Sequence, residues 1–339
     1  MHRKHFLSSL IGAGVLAGSD WKSWASEANE EWIIPPSLKR GDTIGITCPA
    51  GYISYNDILP AIRILESWGF RVKPGKTVGK RDHSFGGSDE ERAADMQAML
   101  DDEGVGAILS ARGGYGSVRM IDRINLSRFR NNPKWIIGFS DLTVFHSHIG
   151  RHYKVATMHA KMCNSFPDNL TTADPVVKDT LLAFRDVLMG EKTKITGPSV
   201  EYNRYGSVEG RLTGGNLSIL QNLAGTASEI NTNGMILFVE EVGEYLYNID
   251  RMFWNLERSG KLKLLKGLIV GGFNRIKPDD PGEEFGRDVY RIVMEKAEKY
   301  NYPVCFDFPV GHQRPNYPLV CGGQYRFTVG ADGSLLERI

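Results

Sequence analysis

The sequence predicts an α/β fold in two parts, an N-terminal parallel-sheet domain and a C-terminal mixed α/β domain. Through the first half, short apolar runs alternate with helical patterns, which argues for parallel strands covered by helices on both faces. In the second half the same kinds of segment recur in a less regular order, after a polar, turn-rich stretch. The chain has 339 residues, 41% of them apolar and 24% charged. That is enough for one large or two medium domains with a real core. This composition excludes a disordered chain, a collagen-like chain and a multi-span membrane protein. A net charge of +1 gives no electrostatic footing for nucleic acid or an acidic membrane.

In chain order, residues 1–28 read as an export signal. Arg3 and Lys4, flanked by His2 and His5, form a positive head. The apolar run Phe6 to Ala17 is shorter than the ~20 residues a spanning helix needs. Ser23 and Ala25 have the small-residue spacing of a cleavage site. The head is similar to a twin-arginine signal with lysine in the second position; Sec export is the other route. No cysteine lies near the cleavage region, so no stable membrane anchor is expected. The export reading implies a periplasmic protein, and a cytoplasmic one is the alternative.

Residues 36–189 form the first predicted domain. Thr43 to Thr47 reads as a buried strand, and Ile58 to Trp68 as a helix ended by Gly69. Phe70 to Pro74 is the next strand. Asp89 to Leu100 is a helix with Ser88 as its cap and acids in its first turn. Val105 to Ser110 and Trp135 to Phe139 are two more strands, and Ala173 to Met189 is a helix leading away. Residues 190–206 read as a linker and 207–339 as the second domain. Its strands are expected at Met235 to Val239, Leu268 to Gly272 and Pro303 to Asp307, with Tyr325 to Val329 as an edge or barrel strand. Its helices are expected over 216–223, 248–259 and 286–300. Cys48, Cys163, Cys305 and Cys321 form no C-x-x-C pair, so four buried free thiols are expected rather than a zinc site. A bridge between two of them is the alternative in an oxidising compartment.

Chemistry concentrates at three points. In Gly138-Phe139-Ser140-Asp141-Leu142-Thr143 a buried strand runs into a serine just before a helical pattern. A hydroxyl at such a turn projects from the sheet's C-terminal end, with the Asp141 N–H beside any oxyanion formed there. Ser140 or Asp141 acting only as a helix cap is the competing account. The loop Arg112-Gly113-Gly114-Tyr115-Gly116 offers bare backbone N–H groups but has neither P-loop nor dinucleotide spacing. A serine nucleophile needs a base. His146, His148 and His152 lie on the helix after Ser140; the last two have metal-ligand spacing but no Glu completes the motif, so a solvated face is expected. His312, between Gly311 and Pro315, suits a positioned imidazole. Its partner acid is Glu240 at the end of an apolar run, with Glu241 and Glu244 competing.

With these motifs, Gly41-Asp42-Thr43-Ile44-Gly45, Gly214-Gly215-Asn216-Leu217, Val239-Glu240-Glu241-Val242-Gly243-Glu244, Asp250-Arg251 and Gly311-His312, the chain resembles the LD-carboxypeptidase family of serine peptidases from about Ile34 onward. The resemblance implies an N-terminal flavodoxin-like domain and a C-terminal swivelling β/β/α domain. It implies a Ser140, Glu240, His312 triad, an oxyanion hole from the N–H groups of Asp141 and Gly114, and a homodimer. The family's usual His-Gly-Pro segment is here Met158-His159-Ala160-Lys161-Met162, which sets the substrate pocket apart. The expected reaction removes the terminal D-alanine of a murein tetrapeptide through an acyl-enzyme, without metal or organic cofactor. Arg112 is the candidate for the substrate's terminal carboxylate. Two alternatives stand: a self-immunity peptidase acting on peptide–nucleotide conjugates, with Trp254 as a nucleobase surface, and a non-catalytic binder of murein fragments.

Overall fold

Two capping boxes start the first two helices. Ser54 accepts from the Asp57 N–H while the Asp57 carboxylate accepts from Ser54 N, and Ser88 and Glu91 repeat the exchange. The first helix, Tyr55–Ser67, starts before the predicted Ile58 because its opening turn is exposed and carries no apolar signal. The second, Asp89–Asp101, matches its expected span closely. The computed structural model describes residues 31–339, so the export signal read at residues 1–28 lies outside the described residues.

Six strands form the first sheet: β1 (Thr43–Thr47), β2 (Arg71–Pro74), β3 (Val105–Ser110), β4 (Trp135–Gly138), β5 (Thr157–His159) and, from much later in the chain, β11 (Leu319–Cys321). Their order is β11-β5-β4-β3-β1-β2. The parallel part, β2-β1-β3-β4-β5, has the flavodoxin-like order, whose ligand crevice opens at the β1/β3 switch point. The second sheet has the order β10-β9-β8-β7-β12-β13-β6. β7 (Gly206–Asn216), β8 (Met235–Val242), β9 (Gly267–Asn274) and β10 (Val304–Cys305) run parallel. β12 (Gln324–Gly330), β13 (Gly333–Arg338) and β6 (Lys194–Gly197) complete it antiparallel.

The structure differs from the sequence reading at the domain boundary. Lys194–Gly197, inside the span read as a linker, pairs with β13 in the second sheet. Leu319–Cys321, inside the span read as the second domain, pairs antiparallel with β5 and covers the edge of the first sheet. Tyr325 to Val329 is no edge strand, because β12 is flanked by β7 and β13. A single apolar cluster runs from Ile44 and Ile46 through Met158 and Phe184 to Phe238, Phe308 and Phe327, joining the two sheets through a core. An interface of that kind holds the halves in register rather than leaving them to swing. All four cysteines are buried and free, and no described helix is long and apolar enough to cross a membrane.

Candidate active site

Every residue of β4 is buried, so the strand delivers Ser140 from the core to the C-terminal edge of the sheet. Ser140 has φ 62°, a left-handed conformation that costs a side-chain-bearing residue on the order of 1 kcal/mol or more. A short turn, Ser140–Leu142, then feeds the helix Thr143–His152. The glycine loop lies directly against this turn. A Cβ on Gly113 would come 3.2 Å from Ser140 Cβ and 3.3 Å from its Oγ, so any larger residue there would press on the serine. The Gly113 carbonyl accepts from Gly51 N at 3.1 Å, and the trans peptide therefore turns the Gly114 N–H away from Gly51. Asp141, 1% exposed, clamps the loop: its Oδ2 accepts from Ser117 N at 2.7 Å. Burial pushes this carboxyl above the usual range, against the opposing pull of the Ser117 bonds.

From the second sheet, β8 brings up Glu240, fully buried, at a register shift against β9 between Val239 and Glu241. Gly311, with φ 101°, lets the next loop press onto it: a Cβ there would lie 2.5 Å from Glu240 Cβ. His312 donates to Glu240 Oε2 twice, from its backbone N at 3.2 Å and from Nδ1 at 2.7 Å. A carboxylate only accepts, so Nδ1 carries the proton and Nε2 presents its lone pair. Asn316 Oδ1 accepts from Gly311 N, and Asn274 Nδ2 donates to the His312 carbonyl, both at 2.9 Å. The imidazole centroid is 4.9 Å from that of Phe139, the residue before Ser140. Among the described residues no hydrogen bond joins His312 to Ser140; such bonds in unliganded sites are commonly long and tighten around substrate.

A strained serine turn on one sheet thus lies beside a part-exposed imidazole that is backed by a buried acid from the other. The family model described as the LD-carboxypeptidase N-terminal domain matches residues 44–160, and the one described as the LD-carboxypeptidase C-terminal domain matches residues 209–327. The chain belongs to the LD-carboxypeptidase family. It is 31% identical over 303 residues to the probable murein peptide carboxypeptidase of Bacillus subtilis, covering 89% of this chain and 94% of that one. It is 27% identical over 323 residues to the microcin C7 self-immunity protein MccF of Escherichia coli, covering 86% and 91%. The crystal structure of muramoyltetrapeptide carboxypeptidase from Oxalobacter formigenes superposes with a TM-score of 0.77 at 28% identity, covering 87% and 98%.

In this LD-carboxypeptidase family member the competing acids have other partners. Glu241 accepts from Asn216 Nδ2 at 3.0 Å, Ser218 N at 2.6 Å and Val242 N at 2.9 Å, tying the helix Leu217–Asn222 to β8. Glu241→Ala leaves those donors without a partner and is expected to destabilise the fold by about 1–3 kcal/mol, read as a shift in urea midpoint, while the folded enzyme keeps its turnover within a few-fold. Glu244 accepts from Asn248 Nδ2 at 2.5 Å and does not reach His312 by any hydrogen bond among the described residues. Arg112 is exposed, with Nη1 on the Tyr52 carbonyl at 3.1 Å, and lines a polar cleft of about 490 Å³ with Asn56, Asp57, Asn164 and Asp168. Trp254 is half-exposed, with the Lys296 ammonium 5.0 Å from its ring centroid.

Of the histidines after Ser140, His146 departs from the expected solvated face, whereas His148 is part-buried and His152 exposed. His148 Nδ1 meets Ser228 Oγ at 2.8 Å and His152 Nε2 donates to the Ala227 carbonyl at 2.7 Å, docking the helix on the following domain. No group of three or more His, Cys, Asp or Glu among the described residues is arranged for a metal ion. His146 is buried: Nε2 donates to the Gly138 carbonyl at 2.9 Å and Nδ1 accepts from Thr157 Oγ1 at 2.8 Å, bracing the end of β4. Burial pushes its pKa down to about 4. The unfolded chain, titrating near 6.5, binds the extra proton first as pH falls. Stability should therefore decline as pH drops from about 6.5 towards 4, by up to about 3 kcal/mol for this group. Urea midpoints measured across that window check it, and His146→Gln should flatten the slope.

Proposed function

We propose that the chain is a serine carboxypeptidase that removes the terminal D-alanine from murein tetrapeptides. The observation that carries the reading is the His312–Glu240 pair, at 2.7 Å, packed beside a serine turn in a strained conformation. His312 Nε2 takes the Ser140 proton as Oγ attacks the carbonyl of the L,D bond. The buried Glu240 charge holds the tautomer and stabilises the imidazolium that forms. The N–H groups of Asp141 and Gly114 receive the developing oxyanion, each donor being worth typically ~3–4 kcal/mol. His312 then returns the proton to the departing D-alanine amine, and water attacks the acyl-enzyme with the same imidazole as base. The export signal read at residues 1–28 suits a substrate found outside the cytoplasmic membrane.

Purified murein tetrapeptide tests the reading. Loss of one D-alanine, followed by mass spectrometry, is the expected result. Tight binding of tetrapeptide with no cleavage would mark a binder of murein fragments instead.

A further inference from the structure

A carboxypeptidase must recognise a free carboxylate next to the bond it cuts, and one buried cation near the site pairs with no carboxylate among the described residues. Lys161 follows β5, whose His159 lies opposite Gly138 of β4, and Ala160 N donates to the Gly138 carbonyl at 3.2 Å. The segment after β5 therefore runs alongside the Phe139–Ser140 turn. Its next residue, Met162, has Cε 3.2 Å from where a Cβ on Gly113 would sit, a point 3.3 Å from Ser140 Oγ. On the other side, Lys161 Nζ donates to the Arg314 carbonyl at 3.1 Å, two residues beyond His312. The Lys161 backbone thus flanks the serine turn, and its ammonium reaches the imidazole loop.

Lys161 is only 7% exposed. Among the described residues its one acceptor is that carbonyl, and no carboxylate lies within ion-pair distance. Two of its three N–H groups remain to be satisfied. Burial alone pushes its pKa down to about 8, so the group is still largely charged near neutral pH. A buried ammonium with no counter-charge is expensive unless an anion completes it. Arg112 is exposed, already shared with a backbone carbonyl, and faces a polar cleft better suited to the body of a peptide. We propose that Lys161 binds the substrate's C-terminal carboxylate, an assignment that rests on the carboxypeptidase reading above.

The test compares tetrapeptide as the free acid with the same peptide amidated at its C-terminus. The wild-type protein should prefer the acid by about 10–100-fold in kcat/KM, the range of one charge-assisted hydrogen-bonded contact. Lys161→Met should remove that preference by lowering turnover of the acid alone, whereas Arg112→Gln should lower both substrates alike. A lysine that serves only as a strut would lower acid and amide equally; that result, or a preference that survives in Lys161→Met, overturns the assignment. Lys161→Gln gives the same comparison if the methionine variant fails to fold. Calorimetric binding of acid and amide to Ser140→Ala protein, with and without Lys161→Met, reads the contact without turnover. A wild-type protein that cleaves neither peptide would sink the carboxypeptidase reading, while the acid-to-amide binding ratio would still decide on Lys161.

Discussion

Ser140→Ala is expected to lower D-alanine release from murein tetrapeptide by at least about 10⁴-fold, because the acyl-enzyme route loses the atom that forms the covalent bond. Substrate affinity should change little, since the loop around Gly113, the Asp141 clamp and the His312–Glu240 pair do not depend on the hydroxyl. Stability should change little as well, because alanine inherits the φ of 62°. Ser140→Gly separates strain from chemistry. It should be as inactive as Ser140→Ala yet more stable by roughly 1 kcal/mol, since glycine adopts that backbone region freely. Urea midpoints of the two variants check the second half of the expectation. An alanine variant retaining a tenth of wild-type turnover would remove Ser140 from the mechanism.

Glu240→Gln is expected to reduce turnover by about 10²–10³-fold with an unchanged fold. Oε2 accepts two bonds, both from His312. The backbone N–H of His312 demands an acceptor at that position, so the glutamine oxygen should take it and the imidazole should keep its Nδ1 proton. What is lost is the buried charge that stabilises the imidazolium, a loss of a few kcal/mol in a low-dielectric site. A reversed tautomer would cost about 10⁴-fold instead. The size of the effect therefore reports which way the amide points. Steady-state kinetics beside a crystal structure of the variant would decide it, and turnover within tenfold of wild type would deny Glu240 its role.

Much of the first domain could be read from the chain because its signals are local. An apolar run ending in Gly138-Phe139-Ser140 is visible without any partner, and so is the Ser88 start. β7 stayed hidden because Gly206, Gly210, Gly214 and Gly215 interrupt its alternation, although its pairing with β8 and β12 makes it central. β6 and β11 depend on partners far along the chain, which no local pattern encodes. Glu240 and Glu241 are neighbours on a strand and face opposite ways, so only the approach of Gly311 distinguishes them. His146 looked exposed because helical position alone does not say that β5 covers it. Lys161 did carry a sequence signal: it is a lone charge inside the run Val155 to Cys163, where every residue is buried.

In the proposed triad Ser140 and His312 act as one unit although they come from different sheets. Turnover measured in Ser140→Ala, His312→Ala and the combined variant tests this directly, because groups that act together are not additive. The combined variant should be no slower than Ser140→Ala alone. If removing His312 from the alanine variant lowers the residual rate by the same factor as removing it from the wild type, the two residues work independently and the proposed triad is wrong.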